Sequence, residues 1–152
     1  MQIYADDKQI NAEVFSASLL VIRAFLLLQT MKKILFIEDE SALQKTFGDI
    51  LKQGGYEMIS ALDGETGFNL ARTKKPDLIL LDLVLPRMHG FEVLKKLKEE
   101  PETKEIPVIV LTNLERMEDV EQAVKLGATA YLVKTQYTIE EVMGKIKKAI
   151  EK

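Results

Sequence analysis

The chain contains no cysteine and only one histidine, His89, among its 152 residues. The absence of cysteine excludes disulfide bonds, thiolate metal ligands and thiol catalysis. A single histidine excludes a zinc site built from several histidines. An excess of positive charge is also missing, since the formal net charge is −3, so the composition gives no support for nucleic-acid binding. Any chemistry of this chain therefore has to rest on carboxylates, hydroxyls and amines.

The composition is otherwise that of a folded globular protein. Apolar residues make up 47% of the chain and charged residues 30%. The length is sufficient to bury one hydrophobic core but too short for two ordinary domains. We therefore expect a single folded domain.

Residues 1–30 differ from the remainder of the chain. They have an acidic start followed by the apolar run 14–28, which contains Arg23. The acidic start is unlike a secretory signal, and the run is shorter than the roughly 20 residues that span a membrane. We expect an N-terminal extension of one appended helix and no membrane span, or a start assigned too early, with Met31 as the natural beginning. So apolar a helix would need to bury itself, either on a partner protein or on a second copy of the chain in a homodimer.

From residue 31 onward, short apolar runs alternate with segments of helical spacing. Five predicted strands lie at residues 34–37, 56–61, 78–82, 108–111 and 130–133. Ser41 with Gln44, and Thr138 with Glu141, have the spacing of a capping box at a helix start. The pattern predicts an α/β domain over residues 31–152, a doubly wound five-stranded parallel sheet with five helices.

Polar side chains follow four of these strands at the point where each strand ends. Glu38 and Asp39 follow the first strand, Asp82 ends the third, Thr112 follows the fourth and Lys134 the fifth. Right-handed crossovers bring the carboxyl ends of parallel strands to one edge of the sheet, where ligands bind in open α/β folds. We therefore expect these five side chains to form one site.

Three carboxylates crowded at one edge repel each other and favour a cation. Because the ligands are all oxygens, a hard divalent ion such as Mg²⁺ is the natural choice. A cation, a lysine and a hydroxyl around one carboxylate suit phosphoryl transfer, with Asp82 as the nucleophile that forms an acyl phosphate.

The same residues resemble the receiver domain of bacterial two-component response regulators, in the stand-alone form of the chemotaxis regulators. The resemblance rests on Glu38-Asp39, on Asp82 in D-x-x-L-P-x-M-x-G, on Thr112 and on Y-L-V-K ending at Lys134. It covers residues 31–152. It implies a flavodoxin-like fold with strand order 2-1-3-4-5 and a cytoplasmic signalling protein, with no enzymatic activity beyond self-catalysed phosphoryl acceptance.

The resemblance also implies roles for individual residues. Asp82 would receive its phosphoryl group from a phosphohistidine on a sensor histidine kinase or a histidine phosphotransfer protein. Mg²⁺ would be held by Asp39, Asp82 and the backbone carbonyl of Val84, with Glu38 acting largely through water. Thr112, a catalytic residue with Asp82 and Lys134, would also form a switch pair with Tyr131.

In that switch, phosphorylation would change the surface formed by the fourth helix, fifth strand and fifth helix of the domain. The altered surface would bind a downstream protein target.

Three departures from the family pattern concern the surroundings of Asp82. Thr135 stands where the family usually has proline, often after a cis peptide bond, and a cis bond before threonine costs about 3–4 kcal/mol. Asn113 stands where a small residue usually follows the threonine. Val84 and Leu114 place aliphatic groups beside the site, where we expect them to hinder an attacking water and prolong the life of a phosphoryl group.

Three other functions are compatible with such a fold. A pseudo-receiver would bind a protein partner independently of phosphorylation. A flavodoxin-like cofactor binder would have to place a phosphate beside the acidic segment 38–41, which would repel it. A hydrolase with aspartyl chemistry would need a cap domain, for which no segment is long enough.

Overall fold

The computed structural model describes residues 2–151 and the side chains of residues 8–151. The chain divides into two compact units, Met1–Met31 and Lys32–Lys152. The first unit consists of one helix and the second contains a sheet with its surrounding helices.

Helix α1, Gln2–Thr30, is 29 residues long. The first 47 residues contain neither glycine nor proline, so nothing interrupts the helix before Thr30. Its segment Lys8–Thr30 is long and apolar enough, by length and composition, to cross a membrane. The shortness of the apolar run 14–28 was the reason to expect no membrane span. Because the helix extends well beyond that run, its length no longer argues against a span.

The second unit is built on five parallel strands. They are β1 (Lys33–Ile37), β2 (Glu57–Ala61), β3 (Leu78–Leu81), β4 (Val108–Thr112) and β5 (Ala130–Val133). Their order in the sheet is β2-β1-β3-β4-β5, and each neighbouring pair is parallel. The predicted sheet and its strand order are therefore confirmed.

Five helices follow the five strands, as the alternating pattern predicts. They are α2 (Ser41–Gln53), α3 (Gly64–Lys74), α4 (Gly90–Glu99), α5 (Met117–Lys125) and α6 (Ile139–Glu151). A 3₁₀ turn over Lys134–Gln136 lies between β5 and α6. This arrangement is the predicted doubly wound α/β fold.

The sheet is covered on both faces, and this explains the uninterrupted apolar strands. All four residues of β3 are buried, as are all five of β4. Side chains of β1 alternate between two separate cores: Leu35 and Ile37 belong to one, and Ile34 and Phe36 to the other. A strand buried on both faces has to be apolar at successive positions, which is the pattern seen in the sequence.

Two predicted helix starts have different outcomes. At α6, Thr138 and Glu141 form the expected capping box, in which each side chain accepts a hydrogen bond from the other residue's backbone N–H. At α2, the residue preceding the helix is Glu40, and no side chain caps the start. The capping box predicted for Ser41 with Gln44 is therefore wrong.

Candidate functional site

The carboxyl ends of β1 and β3 bring the acidic residues together. The backbone N–H of Asp82 donates to the carbonyl of Ile37, and that of Glu38 donates to the carbonyl of Ala61 at the end of β2. Oxygen atoms of Glu38, Asp39 and Asp82 lie within 4.8 Å of one another. The predicted acidic cluster is thus present at one edge of the sheet.

The three carboxylates differ in exposure. Glu38 and Asp82 are buried, whereas Asp39 is exposed. They open on a pocket of about 420 Å³ that is also lined by Val84, Asn113 and Lys134, and by Glu40. A buried carboxylate beside two others is unfavourable unless a positive charge compensates it.

Lys134 supplies that compensation. Its Nζ donates to Glu38 Oε2 at 2.5 Å and to Asp82 Oδ2 at 3.1 Å. Burial acts to lower the pKa of Lys134, but the hydrogen bonds and charges of Glu38 and Asp82 outweigh it and raise the pKa. Lys134 therefore stays an ammonium ion and holds two of the three carboxylates.

Glu38 is fixed on both of its oxygens. Its Oε1 accepts a hydrogen bond from the backbone N–H of Glu40 at 3.0 Å, while Oε2 binds Lys134. Burial, and to a smaller extent the charge of Asp82, raise the pKa of Glu38 against the opposing effect of these hydrogen bonds. Glu38 is thus a partner of the lysine, a pairing that the sequence did not indicate.

The buried side chain of Gln44, which the capping-box spacing placed at the start of α2, instead contacts the strand ends beside Glu38. The Nε2 of Gln44 lies 2.9–3.1 Å from the carbonyl oxygens of Phe36, Glu38 and Ala61, at the ends of β1 and β2. Ser60 in turn donates to the amide oxygen of Gln44. Because buried carbonyls need donors, Gln44 is used to join the strand ends and cannot cap the helix.

The loop after β3 is held close to Asp82. The backbone N–H of Val84 donates to Asp82 Oδ1 at 3.3 Å. Gly90 is required at the end of this loop, because a Cβ there would lie 2.4 Å from the carbonyl oxygen of Asp82 and from Cα of Leu83. The side chain of Val84 is 53% exposed at the mouth of the pocket.

Thr112 and Tyr131 meet through the loop that follows β4. Thr112 is completely buried, and its Oγ1 accepts a hydrogen bond from the backbone N–H of Leu114 at 3.4 Å. The hydroxyl of Tyr131 donates to the carbonyl of Leu114 at 2.9 Å. Burial, with the nearby carboxylates of Asp119 and Asp82, raises the pKa of Tyr131. Both members of the predicted pair therefore contact one loop residue.

The chain after Lys134 takes a course that avoids a cis bond. Every peptide bond between the described residues is trans, and Thr135 lies within the 3₁₀ turn. Its hydroxyl donates to Glu115 Oε1 at 3.3 Å. Lys134 still reaches two carboxylates, so threonine in place of the usual proline leaves the lysine directed into the site.

His89 lies outside this cluster. It is the residue before α4, and its Nδ1 accepts a hydrogen bond from the backbone N–H of Phe91 at 3.4 Å.

Comparison with known proteins agrees with this geometry. The model of the response regulator receiver domain family matches residues 34–147. The polar-differentiation response regulator DivK of Brucella anthropi is 39% identical over 103 residues, which are 68% of this chain and 84% of that protein. The chemotaxis protein CheY4 of Vibrio cholerae has a similar structure, with a TM-score of 0.73 and 28% identity over 79% of this chain and 99% of that chain.

A longer relative contains the same region. The DNA-binding dual master transcriptional regulator RpaA of Synechocystis is 38% identical over 117 residues, which are 77% of this chain. The match spans 48% of that protein, so the chain corresponds to about half of its length. The chain therefore belongs to the response regulator receiver domain family, whose members act in two-component signal transduction.

Proposed function

We propose that residues 31–152 form a single-domain response regulator that accepts a phosphoryl group on Asp82. The donor is a phosphohistidine on a sensor histidine kinase or a histidine phosphotransfer protein. The observation that carries the proposal is the position of Asp82, which lies within 4.8 Å of Glu38 and Asp39 and 3.1 Å from the ammonium group of Lys134. Strand-end carboxylates with a lysine between them suit transfer onto a carboxylate.

The donor set fits Mg²⁺. Hard divalent ions prefer carboxylate, carbonyl and water oxygens, and three carboxylates converge here. We propose that Asp39, Asp82 and the backbone carbonyl of Val84 hold the ion, and that Glu38 acts largely through water. The pairing of Glu38 with Lys134 supports the indirect role of Glu38. When bound, the ion neutralises negative charge on the transferred phosphoryl group.

In the proposed transfer, one carboxylate oxygen of Asp82 forms a bond to phosphorus. The bond from phosphorus to the imidazole nitrogen of the donor histidine breaks, and that nitrogen keeps the electron pair. The ammonium group of Lys134 remains beside Asp82 and stabilises the added charge, and Thr112 donates a hydrogen bond to a phosphoryl oxygen. We expect no turnover of a separate substrate.

We propose that the signal leaves through the surface of α5, β5 and α6. Tyr131 lies on β5, and its hydroxyl binds the carbonyl of Leu114, in the loop that leads to α5. A movement of Thr112 toward a phosphoryl group would displace the same loop residue, since Thr112 accepts a hydrogen bond from it. The changed surface would then bind a downstream protein target in the cytoplasm.

The decisive experiment is incubation with acetyl phosphate and Mg²⁺, followed by intact mass measurement. We expect one phosphoryl adduct on the chain and none on Asp82→Asn. Asp49→Asn, which changes an exposed aspartate of α2, is the matched control and keeps the adduct. An adduct on Asp82→Asn would place the modification elsewhere. A chain that binds Mg²⁺ but takes no adduct would instead be a pseudo-receiver, which acts as a protein-interaction module without phosphorylation.

A further inference from the structure

The later turns of helix α1, residues 19–28, are apolar on all sides apart from Arg23. Leu19, Leu20, Val21 and Ile22 are four successive residues that cover a full helical turn, and each is more than half exposed. After Arg23 and Ala24, the turn from Phe25 to Leu28 repeats the pattern with four more exposed apolar side chains. An apolar surface of this extent has to be removed from water by something that surrounds the helix.

The all-round pattern distinguishes between possible surroundings. A second copy of the chain packed as a two-stranded coiled coil would cover one stripe of the helix and leave the opposite side exposed. A helix that lies on a membrane surface has a charged face, and the turns 19–22 and 25–28 contain no charged residue. The interior of a bilayer is the environment that covers every side of a single helix.

The length of the helix agrees with a span. The segment Lys8–Thr30 has 23 residues, and its most apolar part has a mean hydropathy of 1.7. At about 1.5 Å per residue the segment is roughly 34 Å long, against about 30 Å for the hydrocarbon core of a bilayer. The segment also contains Glu13 and Arg23, six and four residues from its middle, and long charged side chains in a span direct their charge toward the nearer headgroups.

The flanking charges give the orientation. Lys32 and Lys33 follow the helix after Met31, whereas Lys8 is the single basic residue at the other end of the segment. Basic residues next to a span remain on the cytoplasmic side. We propose that Lys8–Thr30 spans a lipid bilayer and anchors residues 32–152 at its cytoplasmic side. This inference revises the expectation from sequence, and it does not depend on phosphoryl transfer to Asp82.

The test is fractionation of the full chain after expression in bacteria, with membranes washed in alkaline carbonate. We expect the intact chain in the washed membranes, and we expect Leu20→Lys with Leu27→Lys to move it to the supernatant. The control is Gln9→Lys with Gln29→Lys, which adds the same charge at the ends of the segment and keeps the chain in the membrane. Recovery of the unaltered chain in the supernatant, as monomer or dimer, would overturn the proposal. Loss of residues 1–30 by cleavage, measured by intact mass, would overturn it as well.

Orientation is tested with single cysteines, because the chain has none of its own. Ala5→Cys and Glu151→Cys place a thiol before and after the span. We expect a membrane-impermeant maleimide to label the first in intact spheroplasts and the second after lysis alone. The reverse pattern, or equal labelling of both, would contradict the proposed orientation. Phosphorylation of the same membranes by acetyl phosphate is measured separately, so a failed anchor and a failed phosphoacceptor are distinguishable.

Discussion

Replacement of Lys134 by methionine tests whether this lysine holds the acidic cluster together. The substitution keeps most of the side-chain volume and removes the charge, so Glu38 and Asp82 are left without their common partner. The side chain of Lys134 is 15% exposed and that of Glu38 is 1% exposed, so water replaces little of the lost interaction. We expect a large loss of stability.

The magnitude follows from the distances. Two carboxylates up to 4.8 Å apart repel by roughly 3.5 kcal/mol at an effective dielectric constant of about 20. Removing one member of a buried ion pair costs about 3–5 kcal/mol. Because the pKa of Glu38 is already raised, this carboxyl can take up a proton in the variant and limit the loss. We therefore expect the free energy of unfolding to fall by about 3 kcal/mol, which lowers Tm by roughly 10 °C.

The assay is urea unfolding at neutral pH without divalent cations, and Lys147→Met serves as the matched control. Lys147 is exposed on α6, and its replacement should change stability by less than about 0.5 kcal/mol. Adding Glu38→Gln to Lys134→Met should restore about 2 kcal/mol, because the buried charge is then absent. This account of the cluster would be refuted if Lys134→Met were as stable as Lys147→Met. It would also be refuted if adding Glu38→Gln to Lys134→Met lowered the stability further.

Three further predictions concern other parts of the domain. Gly90→Ala should lower the free energy of unfolding in urea by about 3 kcal/mol, because the added Cβ would lie 2.4 Å from backbone atoms of the loop after β3. The control Gly144→Ala, with open space around the added Cβ, should instead raise the free energy of unfolding by about 0.5–1 kcal/mol. A backbone hydrogen bond from the first turn of α3 lowers the pKa of Asp63. The wild-type chain should therefore be more stable than Asp63→Asn above about pH 4, and this difference should disappear as the pH falls through the lowered pKa. A difference in stability that does not depend on pH would contradict this. Polar residues in place of Val84 and Leu114 should shorten the life of the phosphoryl adduct several-fold, as measured by intact mass. If the unaltered chain loses its phosphoryl group quickly and these changes leave the rate unaffected, the two aliphatic side chains do not hinder the attacking water.

The sequence predicted that Asp82 and Lys134 lie at one edge of the sheet, and their side chains are 3.1 Å apart. Asp82 and Lys134 each follow an apolar strand, Thr112 is the last residue of β4, and the topology of a parallel sheet brings all carboxyl ends to one edge. Asp82 and Lys134 meet because the strands run parallel, which the alternation of apolar runs with helical segments predicts, whereas the strand order is implied by the resemblance to the receiver family. The sequence could not show that Lys134 pairs with Glu38, because that depends on side-chain directions in two loops and on which carboxylate is buried.

Local spacing was a weaker guide where a side chain had two possible partners. Ser41 and Gln44 match the capping-box pattern as well as Thr138 and Glu141 do, yet only the second pair forms it. Gln44 faces the sheet, where its Nε2 lies within hydrogen-bond distance of three carbonyl oxygens at the strand ends. Thr138 and Glu141 are exposed, and there the helix start offers the nearest backbone partners. Burial, which spacing does not encode, decides between these outcomes.

The charge of the site links its structure to the proposed chemistry. With Glu38, Asp39 and Asp82 ionised, one ammonium group on Lys134 leaves a formal charge of −2 within the cluster. The lysine is bound to the two buried carboxylates, so Asp39, which is exposed, is the carboxylate without a cationic partner among the described residues of the cluster. A divalent cation bound beside Asp39 and Asp82 would neutralise this excess without displacing Lys134 from Glu38. The same balance supports an indirect role for Glu38, because its two oxygens already accept hydrogen bonds from Lys134 and from the backbone of Glu40.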